Sequence, residues 1–594
     1  MLKQSRSITL FMLLLAAALV LAACPAAEPA APSSSAPAQE AAPAAAAEAT
    51  KAPEAAPAPA AADKQIIYAL YQEPEILNPY IATQTAAGEV STFVIEGLLS
   101  VDPEGKRYPV LAKEVPTIAG GLVSEDGMTV KYNLREDVVW SDGEPFTCDD
   151  VLFTFEAVTD PASGAVSTTG YDKIESVTCD SDYAVTIQFN EFYAPYLALF
   201  SDILPRHATG ETADMQNWEY NWNPVGTGPF MQKEWESGDH ITLVANPNYR
   251  DYPEKPIVQQ VIIRIIPSRE VGKALITSGE IDILWDLTEA DVPEFEANPS
   301  IVVNKRPSPG TERLLINLAD PALDATDDPV NNPHPILGDL RVRQAIQYGI
   351  DKQFLVDELL FGATTVGVSE LSIGWAKCDI PTAEYNPEMA ISLLEDAGWT
   401  DADGDGVREC ASCTGAEAGT PLRLKLQTTT GNQLREETEQ LIIEMMREIG
   451  LDFYIENVPS SELFGSWSSG AFRKHGNFDV LMYTTSDGLD PQSQMFGYFH
   501  SSQMPLETNG GTGFNYSRWV NAAADAAIEA AGSSPDEAVR KANYQIACEQ
   551  VDAELPHIYL YDRSEVHLSR SNVVNFHINP WGGHAWNAQD WDIQ

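Results

Sequence analysis

The segment from Leu434 to Ile455 limits the possible folds more than any other stretch of the chain. Apolar positions at helical spacing run to Ile449, Gly450 stops the helix, and Leu451, Phe453 and Ile455 then alternate as in a half-buried strand. A helix that ends on glycine and turns at once into a strand is the repeating unit of an α/β layer. The same grammar recurs elsewhere. Asp339 precedes Val342, Ala345, Ile346 and Gly349, which share one helix face. Asn386-Pro387 opens a helix with Ala390, Leu393, Leu394 and Ala397 on one side and Gly398 as its stop. Between Val130 and Phe189 strands dominate, with Val185, Ile187 and Phe189 alternating.

Globular sequence begins at Lys64 and runs for about 530 residues, too many for one core, so two or more lobes are expected. Upstream, Lys3 and Arg6 precede a 16-residue apolar run from Ile8 to Ala23. A bilayer-spanning helix needs about 20 residues, so the run predicts a secretory signal over 1–23. Leu21-Ala22-Ala23-Cys24 looks like a bacterial lipobox, with Cys24 as the lipid-bearing residue; two acyl chains make a stable anchor. Residues 24–63 are mostly Ala, Pro, Ser and Glu, with almost nothing to build a core, and read as a disordered Ala/Pro-rich tether. The expected location is extracytoplasmic, on the cell membrane through the lipid anchor only.

The formal charge of −51 excludes nucleic acid as a natural partner, because phosphate binding needs a basic face. No phosphate-cradling Gly-x4-Gly-Lys-[Ser/Thr], no His-Glu-x2-His and no Gly-x-Ser-x-Gly is present. The chain is therefore not expected to be an enzyme, and any ATP hydrolysis belongs to other subunits. Cys410-x-x-Cys413 lacks the second ligand pair that zinc requires. Asp401, Asp403 and Asp405, with Gly406 and Glu409, have the spacing of a calcium loop, but Ser412 stands where its last carboxylate belongs. The loop reads either as a structural calcium site or as a bare Asp-Gly turn. No other cofactor is expected.

Eight segments then add up to a resemblance: Glu73–Pro79, Glu96–Leu99, Tyr108–Ala112, Trp140–Thr147, Val225–Phe230, Asn246–Tyr249, Ser278–Asp282 and Leu340–Ile346. In this order, from Ile66 to the C-terminus, the chain resembles the peptide/nickel (oligopeptide/dipeptide) branch of the ABC-importer extracellular solute-binding proteins, family 5. The resemblance implies an α/β, two-lobed periplasmic-binding-protein-like fold of the class II type, with a subdomain inserted in the first lobe. Mapped here, lobe I holds 64–98, 231–315 and 563–594, the inserted subdomain 99–230, and lobe II 316–562. It also implies an importer's solute-binding lipoprotein that captures a short peptide and hands it to permease subunits served by a separate ATPase. An oligosaccharide is the alternative ligand, a nickel chelate is disfavoured by the lack of clustered histidines, and a secreted hydrolase or an adhesin is a more distant reading.

The resemblance also suggests site residues. Asp487, after Phe478-Asp479-Val480, falls where family members meet the peptide's amino group, although Thr484 replaces the usual tryptophan nearby. Arg473 sits where some oligopeptide binders place a carboxylate-binding arginine; Lys474 and His475 beside it also fit a basic surface turn. Glu73 faces the cleft in the family, and Tyr483, Trp375, Trp467 and Tyr498 are aromatic candidates for it. Of the cysteines, Cys148 and Cys179 share the inserted subdomain and are expected to pair, with Cys378 joined to Cys410 or Cys413; six cysteines allow 15 pairings, so the pattern stays open.

Overall fold

The computed structural model describes residues 64–323, 328–465, 467–486 and 488–594. The signal, Cys24, the tether and Asp487 lie outside the described residues. Among the described residues no helix is long and apolar enough to cross a membrane.

One ten-stranded sheet runs through the molecule. Its strands in chain order are β1 (Gln65–Leu70), β2 (Phe230–Glu236), β3 (His240–Ala245), β4 (Gln260–Ile265), β5 (Ile283–Leu287), β6 (Ile301–Ile316), β7 (Arg423–Gln427), β8 (Asp452–Ile455), β9 (Val480–Ser486) and β10 (His557–Arg570). The spatial order is β8-β7-β9-β6-β10-β5-β1-β4-β3-β2. β1 runs parallel to β4 and β5 in one lobe, and β7 runs parallel to β8 and β9 in the other.

Two long antiparallel strands join these halves. β6 pairs with β10 from Ile301↔Arg570 to Pro307↔Ser564, and again from Thr311↔Asp562 to Leu315↔His557. The register shifts between Pro307 and Thr311. β5 pairs with the first stretch of this ribbon and β9 with the second. The strand directions have a consequence for the site: β1, β4 and β5 point toward the second lobe, while β7, β8 and β9 point back toward the first. The carboxyl ends of both parallel sets therefore face each other across the break at Ser308-Pro309-Gly310. In open α/β sheets ligands collect at such ends.

Local chemistry explains the elements. Asn432 caps the helix Gln433–Glu448, its side chain accepting from Arg435 N at 3.2 Å, and Gly450 (φ 83°) lets the chain turn into β8. Asp339 and Asn386 cap their helices in the same way, at 2.9 Å each. Arg341 pairs with Asp339 (2.6 Å), whereas buried Arg343 donates to the carbonyls of Leu337 (2.6 Å) and Glu554 (2.9 Å).

Residues 98–203 contribute a separate apolar core around a three-stranded sheet, Thr129–Asn133, Ile174–Ser181 and Ala184–Phe189. Phe153, Leu204, Met215, Trp218 and Tyr220 pack instead into the core of the first lobe and seat this segment on it. The Gly226-Thr227-Gly228 motif serves close approach: a Cβ on Gly226 would lie 1.9 Å from the Val94 carbonyl oxygen, and Gly228 N donates to that oxygen at 2.9 Å.

Cys148 and Cys179 are joined (S–S 2.10 Å), tying the helix Cys148–Thr159 to its neighbouring strand. The other four cysteines depart from expectation. Cys378 is bonded to Cys548 and Cys410 to Cys413. Packing accounts for this: Cys378 is buried in one apolar cluster with the helix Glu537–Glu554, whereas Cys410 belongs to another beside Trp399.

Candidate functional site: the facing strand ends

Charged side chains line the break in the β6–β10 ribbon. Arg563 on β10 reaches Glu289, just past β5, with both contacts at 3.3 Å, and Ser564 Oγ donates to the same carboxylate. On the other side Glu312, fully buried on β6, accepts from Arg435 Nε at 2.9 Å and from the Thr484 hydroxyl. Its neighbour Arg313, also fully buried, contacts Glu370 at 3.3 Å and the Thr485 hydroxyl. Although burial opposes ionisation, Arg313 and His557 hold the Glu370 carboxyl down at about 2. Burial and the Arg313 charge push the His557 imidazole down to about 4, so that ring is neutral near pH 7.

Beside this network lies an aromatic box. Tyr483, on β9, has the Arg313 guanidinium 5.5 Å from its ring centroid and the Arg473 guanidinium at the same distance. Arg313 also lies over Tyr498 at 5.2 Å. Arg473 lies over Tyr516 at 4.3 Å and Phe464 at 4.9 Å. Arg473 is only 9% exposed, so a basic surface turn does not describe it. Among the described residues its Nε, the Tyr483 hydroxyl and the Tyr516 hydroxyl are buried without a hydrogen-bond partner, and no carboxylate pairs with the guanidinium. A buried cation without a counter-charge is costly. It fits a site that receives an anionic group from outside, since arginine grips a carboxylate with two parallel hydrogen bonds.

The structure thus brings Arg473, Tyr483 and Tyr498 together, and adds Arg313 and Tyr516, which sequence reading missed. The available signal for Arg313 was Glu312-Arg313 leading into the apolar run Leu314-Leu315-Ile316, a charged pair inside a strand paired on both sides. The other expected residues lie apart from this box. Trp467 stacks on His475 with centroids 4.0 Å apart. Trp375 donates to the Leu489 carbonyl at 2.9 Å and so steadies the loop after β9. Glu73 holds the β2–β3 hairpin, accepting from Trp235 Nε1 at 2.9 Å and Gly238 N at 3.0 Å; these donors outweigh burial and lower its pKa.

Two acidic groupings bear on metals. Asp401, Asp403, Asp405 and Glu409 bring one carboxylate oxygen each within 4.8 Å of the others. Their oxygens also accept amides of their own loop, as from Gly404 N (2.7 Å) and Val407 N (2.8 Å). The second grouping is Glu565, His567 and His584. Here His567 Nδ1 accepts from Asp286 N at 3.1 Å and His584 Nδ1 from Asn579 N at 3.2 Å. A ligating histidine normally keeps a proton on the nitrogen away from the metal. Both Nδ1 atoms accept a backbone amide, so each ring directs its Nε2 side at Glu565, 3.6 and 3.0 Å away. Despite burial these donors hold the Glu565 carboxyl down at about 2. The trio is thus tied together around the Glu565 carboxylate.

Glu439 offers a pH test of the strand-end region. It is fully buried, accepts from Asn457 Nδ2 at 2.6 Å, and its Oε1 is without a partner among the described residues. Burial pushes its carboxyl up to about 7 from 4.5. A carboxyl with a raised folded pKa favours the fold while protonated, and that advantage is lost as pH rises from about 4.5 through about 7. Glu439→Gln should therefore melt like the parent at pH 4 and be more stable at pH 8 by roughly 1–3 kcal/mol. Equal melting differences at both pH values would contradict this.

Comparison with known proteins agrees with this architecture. Residues 106–505 match the family model described as bacterial extracellular solute-binding proteins, family 5 Middle. The oligopeptide-binding protein AppA of Bacillus subtilis (strain 168) is 25% identical over 519 residues, covering 86% of this chain and 88% of that protein. The nickel-binding periplasmic protein of Escherichia coli (strain K12) is 28% identical over 420 residues, covering 69% and 73%. Among solved structures, NikZ from Campylobacter jejuni in complex with Ni(L-His) aligns with a TM-score of 0.63 at 24% identity, over 90% of this chain and all of that one. HbpA2 from Haemophilus parasuis gives 0.71 at 21%, over 89% and 100%. At these identities the two structures speak for the fold alone. The family match spans well over half the chain, and the sheet has the two facing sets of strand ends that a two-lobed binding protein needs: the chain belongs to the family 5 extracellular solute-binding proteins, in their peptide/nickel branch.

Proposed function

We propose that the chain captures a short peptide between the facing strand ends and delivers it to the permease of an ABC importer powered by a separate ATPase subunit. The observation that carries the reading is Arg473, a buried guanidinium in a box of tyrosines with no carboxylate partner among the described residues. It is suited to a peptide's carboxylate. Asp487 directly follows β9 and has the charge to meet the amino group, which would lay the peptide along the cleft as an added strand. The name of the Bacillus subtilis relative, an oligopeptide-binding protein, supports the same ligand class.

The test is calorimetric titration of the mature protein with a tripeptide and its N-acetylated form, after mass spectrometry of whatever co-purifies. Acetylation should weaken binding by roughly 2–5 kcal/mol, and Asp487→Ala should do the same to the free peptide. Equal affinity for both forms would sink the amine contact, and a co-purifying sugar or nickel chelate would overturn the peptide reading. Cys24 is proposed to hold the protein at the membrane through its acyl chains. Cys24→Ser should then leave the membrane fraction; a variant that still partitions like the parent removes the anchor from this account.

A further inference from the structure

A half-open cavity of about 270 Å³ lies between the inserted segment and the second lobe. Arg107, Pro116 and Tyr196 line it from one side, and Trp375, Pro535 and Arg540 from the other. The two sides touch: Arg540 Nη1 donates to the Ala194 carbonyl at 3.1 Å. None of Arg473, Tyr483 and Tyr498 borders this space, so it is separate from the box proposed for the peptide's carboxylate.

The charges around it are unequally committed. Asp490 is held by Arg540 through two contacts of 2.7 Å. Asp536 caps the helix Glu537–Glu554, accepting from Ala538 N at 2.9 Å and Val539 N at 3.1 Å. Arg107 donates once, from Nη1 to the Leu197 carbonyl at 2.8 Å. Among the described residues no carboxylate pairs with it. Its guanidinium is thus a cation beside a mixed space, where proline, valine, isoleucine, leucine and aromatic side chains stand together with Asp490, Asp536 and Glu537.

We propose that this cavity is a second binding site, for a small monocarboxylate with an apolar tail whose carboxylate rests on Arg107. The chemistry selects both halves of the ligand. A half-buried guanidinium with free donors favours a carboxylate that can accept two hydrogen bonds, and the prolines and Trp375 favour a hydrocarbon tail. Asp536 and Glu537 at the rim oppose any anion, and a dianion such as phosphate about twice as strongly as a monocarboxylate. Because both bodies supply walls, an occupant favours the arrangement in which Arg540 reaches Ala194, and so favours closure.

The probes are 4-methylpentanoate and 4-methylpentan-1-ol, matched in tail and differing in charge, used on the full chain. The carboxylate should raise the melting temperature in the millimolar range and the alcohol should not. Arg107→Gln should weaken the carboxylate by about tenfold or more, and Ala538→Trp, which fills the rim and leaves Arg107 in place, should also abolish the response. Tripeptide affinity should be unchanged in both variants, which keeps this site distinguishable from the peptide site. No response in the parent, an equal response to the alcohol, or a response retained by Ala538→Trp would overturn the proposal.

Discussion

Replacing Arg473 by methionine is expected to weaken a tripeptide with a free carboxyl terminus by about 2–5 kcal/mol, from tens-fold to several-thousandfold in Kd. Stability should move the other way or not at all. The guanidinium is 9% exposed and lies over three aromatic rings without a carboxylate partner among the described residues. Methionine fills similar space without the desolvation cost of an unpaired cation. The stacking it loses is worth about 0.5–2 kcal/mol, of the same order as that cost. A peptide amidated at its carboxyl terminus should bind the parent weakly and lose little more on Arg473→Met. The double-mutant logic then isolates the carboxylate–guanidinium contact from general damage to the box. Equal binding of acid and amide by the parent, or unchanged binding by the variant, would move the ligand's acidic group away from Arg473.

What the sequence made legible was local. The helix Gln433–Glu448, its Asn432 cap and the strand Asp452–Ile455 are written in a periodicity that spans two dozen residues. The family motifs led to a two-lobed fold because they recur in order along the chain. The environment of individual side chains was much less accessible. Arg473 stands beside Lys474 and His475, a context that reads as surface, and its burial depends on Tyr483 and Tyr516, which reach it through the fold. Arg313 is covered because β9 and β10 flank it and Glu370, 57 residues on, supplies the counter-charge. The Glu73 carboxylate accepts from an indole and an amide of the β2–β3 hairpin, more than 160 residues away. Each of these depends on pairings between distant segments that no local pattern encodes.

The disulfides turn that contrast into an ordered set of losses. In the chain-entropy account, a crosslink stabilises by restricting the unfolded chain, and more so for a longer loop. Cys378–Cys548 closes 170 residues, Cys148–Cys179 closes 31 and Cys410–Cys413 closes 3. The expected costs of removing them are about 5, about 4 and about 2 kcal/mol respectively. Cys378→Ser/Cys548→Ser should therefore lower the melting temperature most, and it has a local consequence the others lack. Cys378 anchors the segment that carries Glu370 and Trp375 against the helix Glu537–Glu554. Glu370 faces Arg313, and Trp375 holds the loop after β9 through Leu489. Loosening that anchor should thus weaken peptide binding as well as stability, whereas removing Cys148–Cys179 should cost stability alone, because that bond lies within the inserted segment. Thermal melts of the three double-serine variants, each paired with a tripeptide titration, read both effects. If the Cys378/Cys548 variant melts no lower than the Cys410/Cys413 variant, loop closure is not what this bond contributes. If it binds peptide like the parent, the segment from Glu370 to Cys378 is held by its packing without the bond.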